Sequence, residues 1–160
     1  MLFDLLDLST RIGKVLTSES RTIAVAESLT AGQMQDVFAS VSGSSAYFRG
    51  GVTAYHIDVK VDLLGVDRQL AESCGCVSQA VAIQMAMGVK SVFGTGIGVG
   101  TTGYAEPHGN GLEPYAFFAV AVEGTGLSQG MVSGEGLNRH EMRQRVVMEA
   151  LKSLAFMLGA

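Results

Sequence analysis

Three stretches of this chain concentrate hydroxyl, amine and guanidinium groups. "AVAESLTAGQMQ", residues 24–35, begins as the end of an apolar strand and finishes as the start of a helix, with Glu27, Ser28, Thr30, Ala31 and Gly32 between. "TAYHIDVK" brings Tyr55 and Lys60. "NRHEMRQR" brings Arg139, Arg143 and Arg145. Hydroxyls and an amine suit acyl or proton transfer, and arginines four apart on one helix face suit a phosphate clamp if that face meets a cleft. Each group also has a plainer use. A strand-end serine commonly caps a turn, and arginines at a helix start commonly line a solvated face.

Spacing narrows these options. Ser28 lacks a Gly-x-Ser-x-Gly setting, and His56, His108 and His140 give it no obvious triad partner. Tyr55 and Lys60 are five apart, so a regular helix would not align them. They would have to converge from a strand end and a helix start. Gly98 to Gly103 spells G-x-G-x-x-G, but Tyr-Ala-Glu-Pro-His-Gly-Asn-Gly follows and no helix can open there, which argues against a dinucleotide fingerprint. Cys74 and Cys76 form one C-x-C, too few ligands for zinc, and read as small half-buried thiols in a reducing compartment.

The elements that must position these groups follow from periodicity. Leu2, Leu5, Leu6, Ile12, Val15 and Leu16 predict a helix over 2–17. A strand over 21–28 precedes a helix over 30–41, with Thr30 as its expected N-cap. A loop (42–45), a strand with a glycine pair (47–56) and a short helix ending near Gly65 (58–66) come next. A helix over 77–93 with Ser78 at its cap leads to "GTGIGVGTTG", whose alternating glycines predict a closely packed strand to about Thr102. Strands at 115–122 and 127–133 form a hairpin, and a helix capped by Asn138 spans 138–158. The order α-β-α-β-α-α-β-β-β-α predicts an α/β fold, a three-layer α/β/α sandwich with a mixed, mostly parallel five-stranded sheet, in one domain over 1–160. In such sheets ligands bind beyond the carboxyl ends of the strands. Ser28 and Thr30, Tyr55, and Thr101 and Thr102 each end a strand there.

Composition sets the limits. With 160 residues, 48% hydrophobic and 16% charged, the chain can bury a core, and its formal net charge of −4 argues against nucleic-acid binding. No run of about 18 apolar residues predicts a membrane span, the N-terminus does not read as a signal peptide, and the expected location is cytoplasmic.

"AESLTAGQM", "GSSAYFRGGVTAYHIDVKVDLLGV", "CVSQAVAIQMAMG" and "TTGYAEP", in that order, resemble the CinA C-terminal domain family over about residues 5–157. That family includes nicotinamide mononucleotide deamidases. The resemblance implies an amidohydrolase that releases ammonia from nicotinamide mononucleotide, with no cofactor and no metal, assembled as a homo-oligomer. It implies Ser28 as nucleophile or water-orienting hydroxyl, with Tyr55 and Lys60 as its catalytic partners and Lys60 as base. Thr30, Ser45, Thr102, Gly103, Arg139 and Arg143 fall on substrate-binding motif positions. The alternatives it leaves are a catalytically weak nucleotide- or protein-binding domain with a regulatory, competence- or damage-response role, and an amidase for another small amide. The chain departs from the family pattern at Leu29, Ala31, Ile57 and Glu106, and by about two extra residues before Arg139.

Overall fold

The structure, a computed structural model, describes residues 2–160, with side chains from Asp4 onward. Its elements in chain order are α1 (Leu2–Ser18), β1 (Ile23–Glu27), α2 (Gln33–Ala39), a 3₁₀ turn (Ser44–Ala46), β2 (Phe48–Thr53), α3 (Ile57–Leu64), α4 (Arg68–Ser73), α5 (Gln79–Phe93), β3 (Ile97–Tyr104), β4 (Tyr115–Val122), β5 (Gly126–Ser133) and α6 (Arg139–Leu158). The strands form one sheet in the order β2-β1-β3-β4-β5. β1 pairs in parallel with β2 and β3, and β4 is antiparallel to both of its neighbours. The mixed, mostly parallel α/β sheet expected from the alternation of elements is therefore observed.

Side-chain parity along β1 divides the layers. Ile23 and Val25 pack with α1, α2 and α6 on one face, while Ala24 and Ala26 pack with α3, α4 and α5 on the other. Both faces are buried, so β1 reads as a continuous apolar run, as parallel central strands do. Leu5, Ile12 and Leu16 of the α1 stripe lie in the core, Leu6 and Val15 lie outside it, and Leu2 falls outside the described side chains.

The glycine alternation in β3 has a packing cause. A Cβ at Gly98 would overlap the carbonyl oxygen of Ala86, and one at Gly100 would overlap that of Ala82. Without them the α5 backbone lies directly on β3. Gly98→Ala should therefore force α5 off the sheet and cost about 1–3 kcal/mol. A thermal melt should show a drop of several degrees, at roughly 2–4 °C per kcal/mol.

Several boundaries differ from expectation. Thr30 does not cap α2. Ala31 at φ 47 and Gly32 at φ 93 turn the chain through the left-handed region, so the helix begins at Gln33 with Gly32 at the cap. β2 ends at Thr53, because the His56 side chain accepts from the Asp58 N–H and starts α3. Arg68–Ser73 forms α4, capped by Asp67, where the sequence had predicted no element. The glycine pair in β2 sits at a register shift, since Phe48 pairs with Ile23 but Gly50 pairs with Ala24. Ser78 caps α5, and Asn138 with Glu141 forms a full capping box on α6. Among the described residues no helix is long and apolar enough to cross a membrane.

Candidate active site

The parity of β1 carries on into the corner that follows it. Glu27 falls in line with Ile23 and Val25 and turns toward α2, where its carboxylate accepts from the N–H groups of Gly32 (3.1 Å), Met34 (3.1 Å) and Gln35 (3.0 Å). Ser28 falls in line with Ala24 and Ala26 and turns toward α3. There the helix presents Ile57, Lys60 and Leu64 at i, i+3 and i+7, an inward stripe with a lysine at its centre. Lys60 is 1% exposed. Its Nζ lies 3.0 Å from Ser28 Oγ and donates to the carbonyls of Ala54 (2.6 Å) and Tyr55 (3.3 Å).

Burial pushes the Lys60 amine below its ordinary range, opposed in part by the nearby Cys76 thiol. Lys60 Nζ thus donates to Ser28 Oγ and to both carbonyls. The carbonyls can only accept, so on loss of one proton the amine keeps those two bonds and turns its lone pair to the Ser28 hydroxyl, which can donate as well as accept.

Ser28 and Lys60 form the floor of a cleft of about 290 Å³. Tyr55, Thr102, Gly103 and Arg139 also line it, so six of the residues predicted for the site share one cavity. Lys60 comes from α3, and the other five arrive from the carboxyl ends of β1, β2 and β3 or from the start of α6, as the crevice rule requires. Arg139 Nη2 donates to the Tyr55 hydroxyl at 3.0 Å, and its Nη1 lies 3.1 Å from Glu106 Oε1. Those contacts, the Tyr55 bond foremost, push the Arg139 guanidinium above its ordinary value.

The remaining predicted residues lie elsewhere. Thr30 is fully buried, with its hydroxyl 2.9 Å from that of Thr101, so it ties the corner to β3. Arg143 turns under the corner and donates to the Thr30 carbonyl at 2.8 Å. It supports the turn and does not line the cleft. Ser45 is exposed on the 3₁₀ turn before β2, at the amino end of that strand and so at the opposite end of the sheet from the cleft.

Cys76, Tyr104 and His108 line the cleft without having been predicted to. Thr102 Oγ1 donates to the Cys76 carbonyl at 2.6 Å and fixes the loop before α5. Because α5 runs back to the start of β3, its N-terminal end must lie at the crevice edge. That topology was the signal that would have placed "SCGC" there. The rings of Tyr104 and His108 stack with centroids 3.6 Å apart and make one wall.

The CinA C-terminal domain family model matches residues 5–158. The chain belongs to the CinA C-terminal domain family. A CinA-like protein of Rippkaea orientalis is 44% identical over 146 residues, covering 91% of this chain and 35% of its own length. One from Chlorobium limicola is 44% identical over 118 residues, covering 73% and 28%. The chain thus spans about a third of the length of the curated relatives it matches. A solved competence/damage inducible protein CihA from Agrobacterium tumefaciens has a TM-score of 0.91 at 29% identity, covering 96% of this chain and 95% of its own. A CinA superfamily protein from Klebsiella pneumoniae, with a TM-score of 0.88 at 23% identity, shares the fold.

Proposed function

We propose that this CinA domain is an amidohydrolase that converts nicotinamide mononucleotide, or a close pyridine nucleotide, to the corresponding acid and ammonia. The observation that carries this reading is the Lys60 amine, buried and 3.0 Å from Ser28 Oγ at the floor of a cleft. A hydroxyl beside an amine of lowered proton affinity is an activated nucleophile.

In this reading Ser28 Oγ attacks the carboxamide carbon while its proton passes to Lys60 Nζ. Backbone N–H groups beside Ser28 and Gly103 stabilise the developing oxyanion. Lys60 then delivers the proton to the departing nitrogen, the C–N bond breaks, and ammonia leaves an ester on Ser28. Water, deprotonated by Lys60, attacks the ester carbon. The carboxylic acid departs and the Ser28 hydroxyl is restored. The Tyr104–His108 stack offers a flat wall for the pyridine ring. Arg139 and Tyr55 stand at the mouth, toward the rest of the nucleotide.

The test is ammonia release from nicotinamide mononucleotide by purified protein, with the acid product identified by mass. Turnover well above the background of a Ser28→Ala preparation is expected. Release equal to that background would sink the proposal.

A further inference from the structure

Glu106 and Arg139 both line the cleft, and among the described residues Arg139 brings the one guanidinium there, with the Glu106 carboxylate sitting on it. Arg139 has both terminal nitrogens engaged, Nη1 with Glu106 Oε1 at 3.1 Å and Nη2 with the Tyr55 hydroxyl at 3.0 Å. The other cation lining the cleft, Lys60, is at the floor and committed to Ser28, Ala54 and Tyr55. Arg143 is turned away toward the Thr30 carbonyl. A phosphate reaching for Arg139 therefore meets a carboxylate already in its place, and a dianion there pays repulsion that a neutral or cationic group does not. The pair is roughly half exposed, at 48% and 62%, so the repulsion is screened and moderate. An N-ribosyl pyridinium without phosphate carries a positive charge, and Glu106 attracts it.

Resting on the amidohydrolase reading above, we propose that Glu106 occupies the anion position beside Arg139. The cleft then accepts phosphate-free N-ribosyl pyridine carboxamides, the nucleoside, at least as readily as the nucleotide. Glu106 is thus a specificity residue peculiar to this cleft's mouth, acting on binding and leaving the chemical step to Ser28 and Lys60.

The experiment compares nicotinamide riboside with nicotinamide mononucleotide as substrates of the wild type and of Glu106→Gln, and measures Kd for each by titration calorimetry. The wild-type ratio of kcat/KM, riboside over mononucleotide, should be one or more. Glu106→Gln should move that ratio toward the mononucleotide by about 5-fold, through KM rather than kcat, with the Kd ratio moving in parallel. A wild type that favours the mononucleotide 10-fold or more, or ratios that Glu106→Gln leaves unmoved, would overturn the proposal. If neither amide is hydrolysed, the Kd ratio decides separately. A shift toward the mononucleotide in Glu106→Gln supports the anion-position assignment while the amidase reading fails, and an unmoved Kd ratio removes both.

Discussion

Replacing Lys60 by Met is expected to lower kcat/KM for amide hydrolysis by about 10³-fold at neutral pH, the range a positioned general base supplies. Ser28→Ala should lose at least as much, and the double variant should lose little more than Ser28→Ala alone. Two groups that act through one proton are not additive, because once the hydroxyl is gone the amine has nothing to activate. Losses that multiply would mean that Ser28 and Lys60 act independently, contrary to their 3.0 Å contact.

The pH profile gives the same hypothesis a second reading. Burial lowers the Lys60 proton affinity. The neutral amine, the form that can accept the Ser28 proton, is therefore reached at lower pH than for an ordinary lysine. The acid limb of kcat/KM should rise with that deprotonation and should vanish in Lys60→Met. Stability is linked to the same group. The unfolded chain binds the Lys60 proton with an ordinary pKa of about 10.4, and the folded chain binds it more weakly. Between those two values the unfolded state carries more protons, so native stability rises with pH, and below the folded value the penalty is at its full size. Wild type should accordingly gain stability relative to Lys60→Met as pH is raised from neutral toward 10, measured by urea melts. The opposite slope would show that the fold holds Lys60 charged more tightly than water does, and a base role would be lost.

How much of this was readable from the letters depends on how local each determinant is. The sheet and its longer flanking helices follow from periodicities that each segment carries within itself, and they match, while the six-residue α4 was too short to show one. The Ser28–Lys60 contact was also latent in local pattern. Ala24-Ala26-Ser28 continues one face of β1, and Ile57-Lys60-Leu64 places a lysine on the buried stripe of α3. The identity of that pair nevertheless entered through family resemblance, because parity alone does not say that the two faces meet. Arg143 shows where helical spacing stops being informative. It shares a face with Arg139, yet its side chain runs inward to the Thr30 carbonyl while that of Arg139 runs outward to Tyr55 and Glu106. Reach and direction are decided by what the neighbouring corner leaves open. Thr30 was misread for a related reason. Its hydroxyl is taken by Thr101, 71 residues away in sequence, so the capping preference of threonine was overridden by a tertiary partner.

Glu27→Ala is expected to be the most destabilising single change at the corner. Glu27 is fully buried and takes three backbone N–H groups that α2, a helix of 7 residues, cannot satisfy itself. Removing the carboxylate leaves those donors unmatched, at a cost of about 3–5 kcal/mol. A melting temperature lower by roughly 10 °C follows from the size of the domain. Glu27→Gln should fall between the two. Gly32 and Met34 donate to one oxygen and Gln35 to the other, so an amide keeps an acceptor for the first pair and sets its NH₂ against the third N–H. The order wild type, Gln, Ala in thermal melts therefore tests the bonding itself rather than side-chain volume, which Gln preserves. Activity should fall with it, because the turn that Glu27 anchors is also what aims Ser28 at Lys60. A Glu27→Gln protein that is well folded at the assay temperature yet slow, with kcat reduced more than KM is raised, would identify Glu27 as a positioning residue. Equal melting temperatures for the Gln and Ala variants would remove the capping account.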